Sequence, residues 1–327
     1  MKLKQGFAVF ALAALSNFSH ASEENVRQPH IVGGNNANIS ALPWQVYIDI
    51  PSSGCGGVII SNDYVLTAAH CVEGLFASDI SVLAGFTDLS SPRSPIPVAN
   101  IQVHPDYNNA NLTADIAILK LAGSLPSNAK SIPLLMAENQ SEMDNEFQVP
   151  KLDNLVSSGW GATRTGGAGS QSLKMVALTG VPDSSCSWTT FSNGSVSQAF
   201  SDAYVCANNT TTEGICSGDS GGPLVWQNPS NASDADRGYR LAGLVSFSSR
   251  DDGCASPNAE DGFTQVSTYF SWIDANMDGG YSAPSVSFAE DIFALATAEN
   301  NSGGGGSFAW LSLLSLGLLI FRRRLLS

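Results

Sequence analysis

Few side chains in this sequence can transfer protons near neutral pH, because only four histidines occur among its 327 residues. Two of them, His70 and His104, lie in the body of the chain, and imidazole is the natural general base at neutral pH. His70 ends an apolar, strand-like stretch (residues 64–71) beside a cysteine, whereas His104 lies in a sequence typical of a surface turn. The pattern favours His70 as a general base and a hydrogen-bonded structural role for His104.

Two other segments carry groups that can work with such a base. Asp115 precedes an apolar strand (residues 116–121), a place where an acid is usually a turn or cap residue. Ser220 lies in the glycine-rich turn Gly218–Pro223, where the backbone can bend tightly, a substrate can approach closely, and two N–H groups can point at one oxygen. Each segment is a weak signal alone, since most such turns are ordinary loops. Together with His70 they are specific.

These segments, with a fourth near the N-terminus, resemble the chymotrypsin/trypsin-type serine proteases. The matching strings are Ile31–Gly34, Thr67–Cys71, Asp115–Ala117 and Gly218–Pro223. The order His, Asp, Ser along the chain is also that of the family. The resemblance covers about residues 31–278. It implies a serine endopeptidase that hydrolyses peptide bonds in protein or peptide substrates through an acyl-enzyme, without a cofactor.

The resemblance also implies a role for each matched residue. Ser220 attacks the peptide carbonyl, His70 accepts its proton and later donates it to the leaving amine, and Asp115 fixes the tautomer of His70. The backbone N–H groups of Gly218 and Ser220 form the oxyanion hole, in which one donor is worth about 3–4 kcal/mol. The alternative is a protease-like surface binding protein without activity. The presence of all three side chains and the glycine donors favours the enzyme.

Substrate recognition departs from trypsin-type members of the family. The run Ser246-Phe247-Ser248 corresponds to the edge that pairs with an extended substrate. Gly214 takes the place of the pocket aspartate of trypsin, whereas Asp261 falls where a wall glycine usually lies. We therefore predict a primary pocket that accepts Lys or Arg less strictly than trypsin and also admits large apolar residues. The alternative is that Asp261 points outward.

The resemblance further implies a zymogen in which residues 22–30 are a propeptide. A new ammonium group on Ile31 would turn inward and pair with Asp219, because a buried acid needs a partner charge. The alternative for Asp219 is a simple turn residue. His30 precedes Ile31, where the family has Arg or Lys, so the identity of the activating protease stays open.

The six cysteines can all be paired, but the sequence alone does not fix the pairing. The resemblance implies three disulfides: Cys55 with Cys71, Cys186 with Cys206, and Cys216 with Cys254. Zinc, the alternative, is disfavoured because no Cys-x-x-Cys spacing is present. No metal is predicted, since the loop at residues 83–98 also lacks the pair of acids that a calcium site needs.

The composition favours an all-β body, because charged residues make up only 13 % of the chain while glycines number 31. Short apolar strands are predicted at Gln45–Ile50, Gly57–Ile60 and Leu241–Phe247, and a helix near Tyr269–Met277. The resemblance implies that these strands form two six-stranded antiparallel β-barrels, followed by a C-terminal helix. The site would lie in the cleft between them. A net charge of −14 argues against nucleic acid as a partner.

The N-terminus has the pattern of an export signal. Residues 1–21 combine a basic start, an apolar middle and a small-x-small ending, which predicts a signal peptide cleaved after Ala21. The alternative, a membrane-spanning helix, is disfavoured because the apolar run is too short. Export implies an oxidising compartment in which cysteines form disulfides. The predicted protease domain then spans residues 31–280.

The C-terminus has the pattern of a sorting tail. Residues 281–302 mix small, polar and acidic residues and predict a linker. In residues 303–327, glycines precede an apolar stretch at 308–321 and three arginines, which predicts a short transmembrane helix with a cytoplasmic end. The alternative is an amphipathic or buried helix. This tail resembles the bacterial GlyGly-CTERM signal. That resemblance implies a rhomboid-type sorting protease as a partner and delivery to the cell surface.

Overall fold

The structure, a computed structural model, describes most of the predicted protease body and part of the predicted linker. The described residues are 31–51, 53–149, 151–186, 202–209, 211–248 and 252–298. The predicted signal peptide, propeptide and sorting tail lie outside them, as does the apolar stretch at 308–321. Within the described ranges, no helix has both the length and the apolar character needed to cross a membrane.

The first half of the body is a closed barrel of six antiparallel strands. A two-residue strand, β1 (Asn35–Asn36), precedes it. The barrel strands are β2 (Gln45–Ile50), β3 (Ser53–Ile59), β4 (Tyr64–Thr67), β5 (Ser81–Ala84), β6 (Ile96–Val103) and β7 (Ala117–Leu121). They pair in the order β2-β3-β4-β7-β6-β5. Alternate residues such as Val46 and Ile48 fill its interior, as expected for strands with one buried face.

The second half repeats this architecture. Its strands are β8 (Leu155–Gly159), β9 (Lys174–Val181), β10 (Tyr204–Asn208), β11 (Pro223–Gln227), β12 (Tyr239–Phe247) and β13 (Asp261–Gln265). They pair in the order β9-β10-β13-β12-β11-β8, the β8–β9 pairing closes the barrel, and β1 joins at β9. The prediction of two six-stranded antiparallel barrels is therefore confirmed.

Helices are short and lie around the barrels. They are α1 (Ala69–Val72), α2 (Ala137–Phe147), α3 (Phe270–Ala275) and α4 (Ile292–Thr297). The predicted helix near Tyr269–Met277 is found as α3, which follows a 3-10 turn at Val266–Tyr269. Helix α1 carries His70 directly after β4, so the first barrel fixes the position of this side chain.

Residues 281–298 differ from the predicted linker, because they pack against the barrels as a C-terminal strap. Phe288 is buried against Trp44, with 4.8 Å between the ring centroids. Ile292 in α4 is fully buried, and the Tyr281 hydroxyl accepts a hydrogen bond from the N–H of Leu134 at 2.9 Å. The apolar anchors are single residues spread among small and polar ones. They form no periodic pattern, and the composition alone therefore resembles that of a tether.

Candidate active site

His70 and Asp115 are brought together by the pairing of β4 with β7. Thr67 lies opposite Ala117 in this antiparallel pair, so the end of β4 meets the start of β7. The Nδ1 atom of His70 lies 2.7 Å from Oδ2 of Asp115, and the backbone N–H of His70 donates to Oδ1 at 2.9 Å. The Asp115 side chain is fully buried, whereas that of His70 is 27 % exposed. A buried acid thus holds a partly accessible imidazole.

The second barrel supplies further donors to Asp115. The Ser246 hydroxyl donates to Oδ2 of Asp115 at 2.6 Å, and the Thr264 hydroxyl donates to its backbone carbonyl at 2.9 Å. The register between β12 and β13 shifts between Val245 and Phe247, and such a bulge redirects the side chain within it. Since Oδ2 is an acceptor, this contact selects the tautomer of a neutral imidazole that carries its proton on Nδ1 and its lone pair on Nε2.

Ser220 and Gly218 line a cavity of 820 Å³ together with His70. Gly218 has φ +99° and Gly221 has φ +77°, conformations that side chains rarely adopt. A β carbon on Gly221 would lie 2.2 Å from the Thr67 hydroxyl, so this position must lack a side chain for the turn to pack on β4. The N–H of Gly56 donates to the Ser220 carbonyl at 2.7 Å, which ties the turn to the first barrel.

The oxyanion-hole donors predicted from the sequence are free of protein acceptors. Within the described part of the chain, the N–H groups of Gly218 and Ser220 donate to no other residue. The N–H groups on either side are used, because that of Asp219 donates to the Cys216 carbonyl at 3.0 Å and that of Gly221 to the Val245 carbonyl at 2.8 Å. Two unpaired donors beside the Ser220 side chain can bind a developing negative charge on oxygen.

Asp219 is buried below this turn, and no cationic side chain pairs with it among the described residues. Its Oδ1 accepts the N–H of Gly161 at 2.8 Å and its Oδ2 accepts that of Cys216 at 3.0 Å. Burial raises the pKa of Asp219 to about 7, although both hydrogen bonds lower it. Ile31 is also fully buried, within the core of the second barrel. Its nitrogen is a backbone amide, which carries no charge as long as the bond before Ile31 is intact.

Asp261 begins β13 and is also buried, with only 6 % of the residue exposed. It lies beside Gly214, where an added β carbon would be 3.3 Å from Oδ2 of Asp261. Burial raises the pKa of Asp261 well above its ordinary value, the Asp219 and Glu260 charges raise it further, and a hydrogen bond from the N–H of Ile215 opposes this. The side chain therefore points inward, towards the residue that takes the place of the trypsin aspartate.

The side chains of the edge run predicted for substrate binding make different contacts. The Ser246 side chain points away from the edge to Asp115, whereas the Phe247 ring lies over Gly262, whose added β carbon would be 2.1 Å from the ring. Ser248 follows β12 and is half-buried. The sequence prediction thus placed Ser246 at the site but missed what its hydroxyl does. The spacing along the chain carries no signal for a contact with Asp115.

Three disulfides join Cys55 to Cys71, Cys186 to Cys206, and Cys216 to Cys254. The predicted pairing is therefore confirmed. The first bond fixes α1, which carries His70, to β3. The third links the segment just before Ser220 to the loop just before Asp261.

Sequence reasoning missed three contributors to the site. The Thr264 hydroxyl donates to the backbone carbonyl of Asp115, and the N–H of Gly161 donates to the carboxylate of Asp219. Ala114 has φ +52°, a conformation that costs about 1 kcal/mol or more for a residue other than glycine. It directly precedes Asp115. None of these residues belongs to a motif that signals a function.

Two closed six-stranded barrels, with a histidine, an aspartate and a serine drawn from both, define a chymotrypsin-like serine protease. The family described as Trypsin matches residues 31–273. Serine protease SP24D of Anopheles gambiae is 32% identical over 83% of this chain and 96% of its own length. Chymotrypsin-like elastase family member 1 of Homo sapiens is 33% identical over 77% and 93%. Serine protease filzig of Drosophila melanogaster is 30% identical, but the match spans only 14% of that longer protein.

The chain belongs to the trypsin family, and it is a serine endopeptidase. The family match covers the two barrels and ends within α3, so the C-terminal strap lies beyond it.

The Ser246 hydroxyl is expected to contribute to turnover. We expect Ser246→Ala to lower kcat about tenfold with little change in KM, because the buried carboxylate loses a hydrogen bond worth about 1.5–3 kcal/mol and no substrate contact is removed. Steady-state kinetics on a peptide ester measure this. Thr264→Val is the matched control. It removes a hydroxyl that donates to the backbone carbonyl of the same aspartate and not to its carboxylate, so its effect on kcat should be smaller. An unchanged kcat in Ser246→Ala would contradict this role.

The stability of the uncut chain is expected to fall as pH rises from about 4 to 7 because of Asp219. Its pKa of about 7 in the folded chain exceeds the ordinary value of 3.8. The folded state therefore binds the carboxyl proton of Asp219 more tightly than the unfolded state does. The resulting contribution to the free energy of unfolding is lost as pH rises through this window. Urea unfolding of Ser220→Ala, a background that lacks the predicted nucleophile, should show this loss. Adding Asp219→Asn should make the free energy of unfolding less dependent on pH, by up to about 4 kcal/mol across this window. Equal pH dependence in both proteins would contradict the prediction.

Proposed function

We propose that Ser220 is the nucleophile of this serine endopeptidase, His70 its general base and Asp115 the group that orients His70. The observation that carries this proposal is the buried Asp115–His70 pair, 2.7 Å between Oδ2 and Nδ1, opening on a cavity that Ser220 also lines. The pair leaves Nε2 of the imidazole free to accept a proton.

The reaction then follows from these atoms. As the Ser220 oxygen bonds to the peptide carbonyl carbon, its proton passes to Nε2 of His70 and the carbonyl oxygen becomes an anion. The N–H groups of Gly218 and Ser220 stabilise that anion. His70 returns its proton to the departing amine, which leaves an acyl-serine. Water repeats the sequence, with His70 again taking and returning one proton, and releases the acid.

Covalent labelling tests this assignment against the alternative of a binding protein without activity. A peptide phosphonate reacts with an activated serine, so we expect one label on Ser220 in the activated protein. His70→Ala should abolish the labelling, while His104→Ala, which changes the other imidazole of the body, should leave it intact. Mass spectrometry of the labelled peptide identifies the site. The absence of a label on activated protein would favour the binding protein.

We propose further that Asp261 makes the primary pocket accept Lys and Arg while still admitting large apolar residues. The support is its position beside Gly214, its burial and its raised pKa. A buried acid without a cation is expected to be protonated and compatible with an apolar side chain. An arriving guanidinium or ammonium would instead pair with the ionised form. One residue can thus serve both substrate classes.

Replacement of Asp261 tests the pocket. We expect Asp261→Asn to lower the ratio of kcat/KM for Arg over Phe substrates by roughly 30-fold, equivalent to about 2 kcal/mol, because only the Arg substrate loses a partner. Paired peptide substrates that differ in this residue alone measure the ratio. Glu260→Gln, which removes the neighbouring charge, is the control and should change the ratio little. A ratio unaffected by Asp261→Asn would exclude the carboxylate from the pocket.

We propose that the protein is made as a zymogen, with residues 22–30 removed by an activating protease of unknown identity. The raised pKa of Asp219 supports this, because a cation on Ile31 would provide the partner that the buried acid lacks. Export is supported by the predicted signal peptide and by the three disulfides, which persist in oxidising compartments. Surface display through residues 303–327, with processing by a rhomboid-type protease, is proposed from the sequence of that tail alone.

A further inference from the structure

The C-terminal strap, residues 281–298, is built into an aromatic cluster at its middle. Phe288 packs edge-on against Trp44 at 4.8 Å between ring centroids and stacks on Tyr239 at 5.9 Å. Its backbone N–H donates to the Ala235 carbonyl at 3.0 Å. Because these contacts include both a buried ring and the backbone, they place the strap at one defined position on the barrels.

Tyr239 holds the strap a second time through its hydroxyl. The hydroxyl donates to the Glu290 carbonyl, just before α4, at 3.1 Å and accepts the N–H of Ile292, the first residue of α4, at 3.2 Å. Arg237 donates to the same hydroxyl at 3.1 Å and pairs with Asp291 at 3.2 Å. Asp291 also caps α4, since its Oδ1 accepts the N–H of Ala294 at 3.1 Å.

The other end of α4 meets a side chain from the opposite end of the body. The last carbonyls of a helix have no partner within it. Here the amide nitrogen of Asn35 donates to the carbonyls of Leu295, Ala296 and Ala298 at 3.1, 2.8 and 2.9 Å. Asn35 therefore caps the end of α4 and binds the strap to β1.

Asn35 lies four positions after Ile31. Strand β1 has only two residues, which pair with Met175 and Lys174 of β9, and few other backbone bonds hold the chain before it. Among them, the N–H of Gly34 donates to the Ile31 carbonyl at 2.7 Å, and the N–H of Gly214 donates to the Val32 carbonyl at 3.0 Å. The segment is thus held by β9, by the backbone at Gly214 and, through Asn35, by the strap.

We propose that the strap clamps the segment 31–36 and that Asn35 is a positioning residue for the activated N-terminus. This inference depends on the proposed activation at Ile31. Once the bond before Ile31 is cut, the segment is a free end, and a contact that keeps Asn35 in place lowers the entropy cost of docking the ammonium on Asp219. The strap thereby links a region outside the family match to the state of the catalytic turn.

The pH at which activity is lost in alkali tests the clamp. Deprotonation of the Ile31 ammonium releases it from Asp219, so the midpoint of this loss rises with the docking constant. Asn35→Asp keeps the shape of the side chain but places an oxygen against the three carbonyls. We expect docking to weaken about fivefold, since donor bonds are lost. The midpoint of kcat/KM against pH should then fall by about 0.7 pH unit.

Two further measurements separate positioning from general stability. Tyr239→Phe keeps the aromatic packing but loses the hydrogen bonds to the strap, so its midpoint should shift in the same direction, by less. The reactivity of the Ile31 amine towards cyanate, followed by mass spectrometry, should rise in both variants. Asn128→Ala is the control, because it removes an asparagine bond to the Gly85 carbonyl, which belongs to the first barrel and not to the strap. It should change neither readout.

The outcomes distinguish the clamp from the activation on which it depends. If N-terminal sequencing of the active protein finds a first residue other than Ile31, the proposed activation fails and this role for the strap fails with it. If Ile31 is found but Asn35→Asp and Tyr239→Phe show unchanged midpoints and amine reactivity, the strap only stabilises the fold and the clamp alone is overturned. Should Asn35→Asp fail to fold, Tyr239→Phe decides between these results.

Discussion

The site depends on one buried carboxylate, that of Asp115, at the junction of the two barrels. An ionised acid without hydrogen bonds is strongly disfavoured in the protein interior. Here the first barrel supplies two donors from His70, and the second supplies the hydroxyl of Ser246. The Thr264 hydroxyl binds the backbone carbonyl of the same residue. Each barrel alone would leave the carboxylate incompletely bonded. The orientation of the imidazole is therefore a property of the assembled pair of barrels, and the hydrogen bond between Nδ1 of His70 and Asp115 also selects the tautomer that the proposed mechanism needs.

Two other buried acids, Asp219 and Asp261, follow the opposite principle. Both have raised pKa values because burial outweighs their backbone hydrogen bonds, and neither has a cationic partner among the described residues. Such an acid can ionise and form an ion pair when a cation binds next to it. For Asp219 we propose that this cation is the new N-terminus of Ile31, and for Asp261 that it is a substrate side chain. Activation and specificity would then use the same electrostatic property at neighbouring points of one barrel.

Much of the fold could be predicted from the sequence, but with unequal precision. Local patterns of apolar residues predicted the short strands and the helix after β13. The two-barrel architecture and the disulfide pairing were predicted from the resemblance of the motifs to the family. The strap was missed, because Phe288 and Ile292 are isolated apolar residues in a segment whose composition resembles a linker. Their partners, Trp44 and Tyr239, lie far away in the chain, and no local signal reveals a pocket made by distant residues.

The sequence by itself determined which groups are available for chemistry: one well-placed histidine, a serine between glycines, and acids at Asp115, Asp219 and Asp261. Tertiary structure alone decided what surrounds them. That Ser246 points to Asp115, that Asp261 lies buried beside Gly214, and that the strap reaches Asn35 all follow from strand register, a bulge and long-range packing. The physical reason is that residue type is a local property, whereas desolvation and hydrogen bonding depend on which distant segments fold against each other.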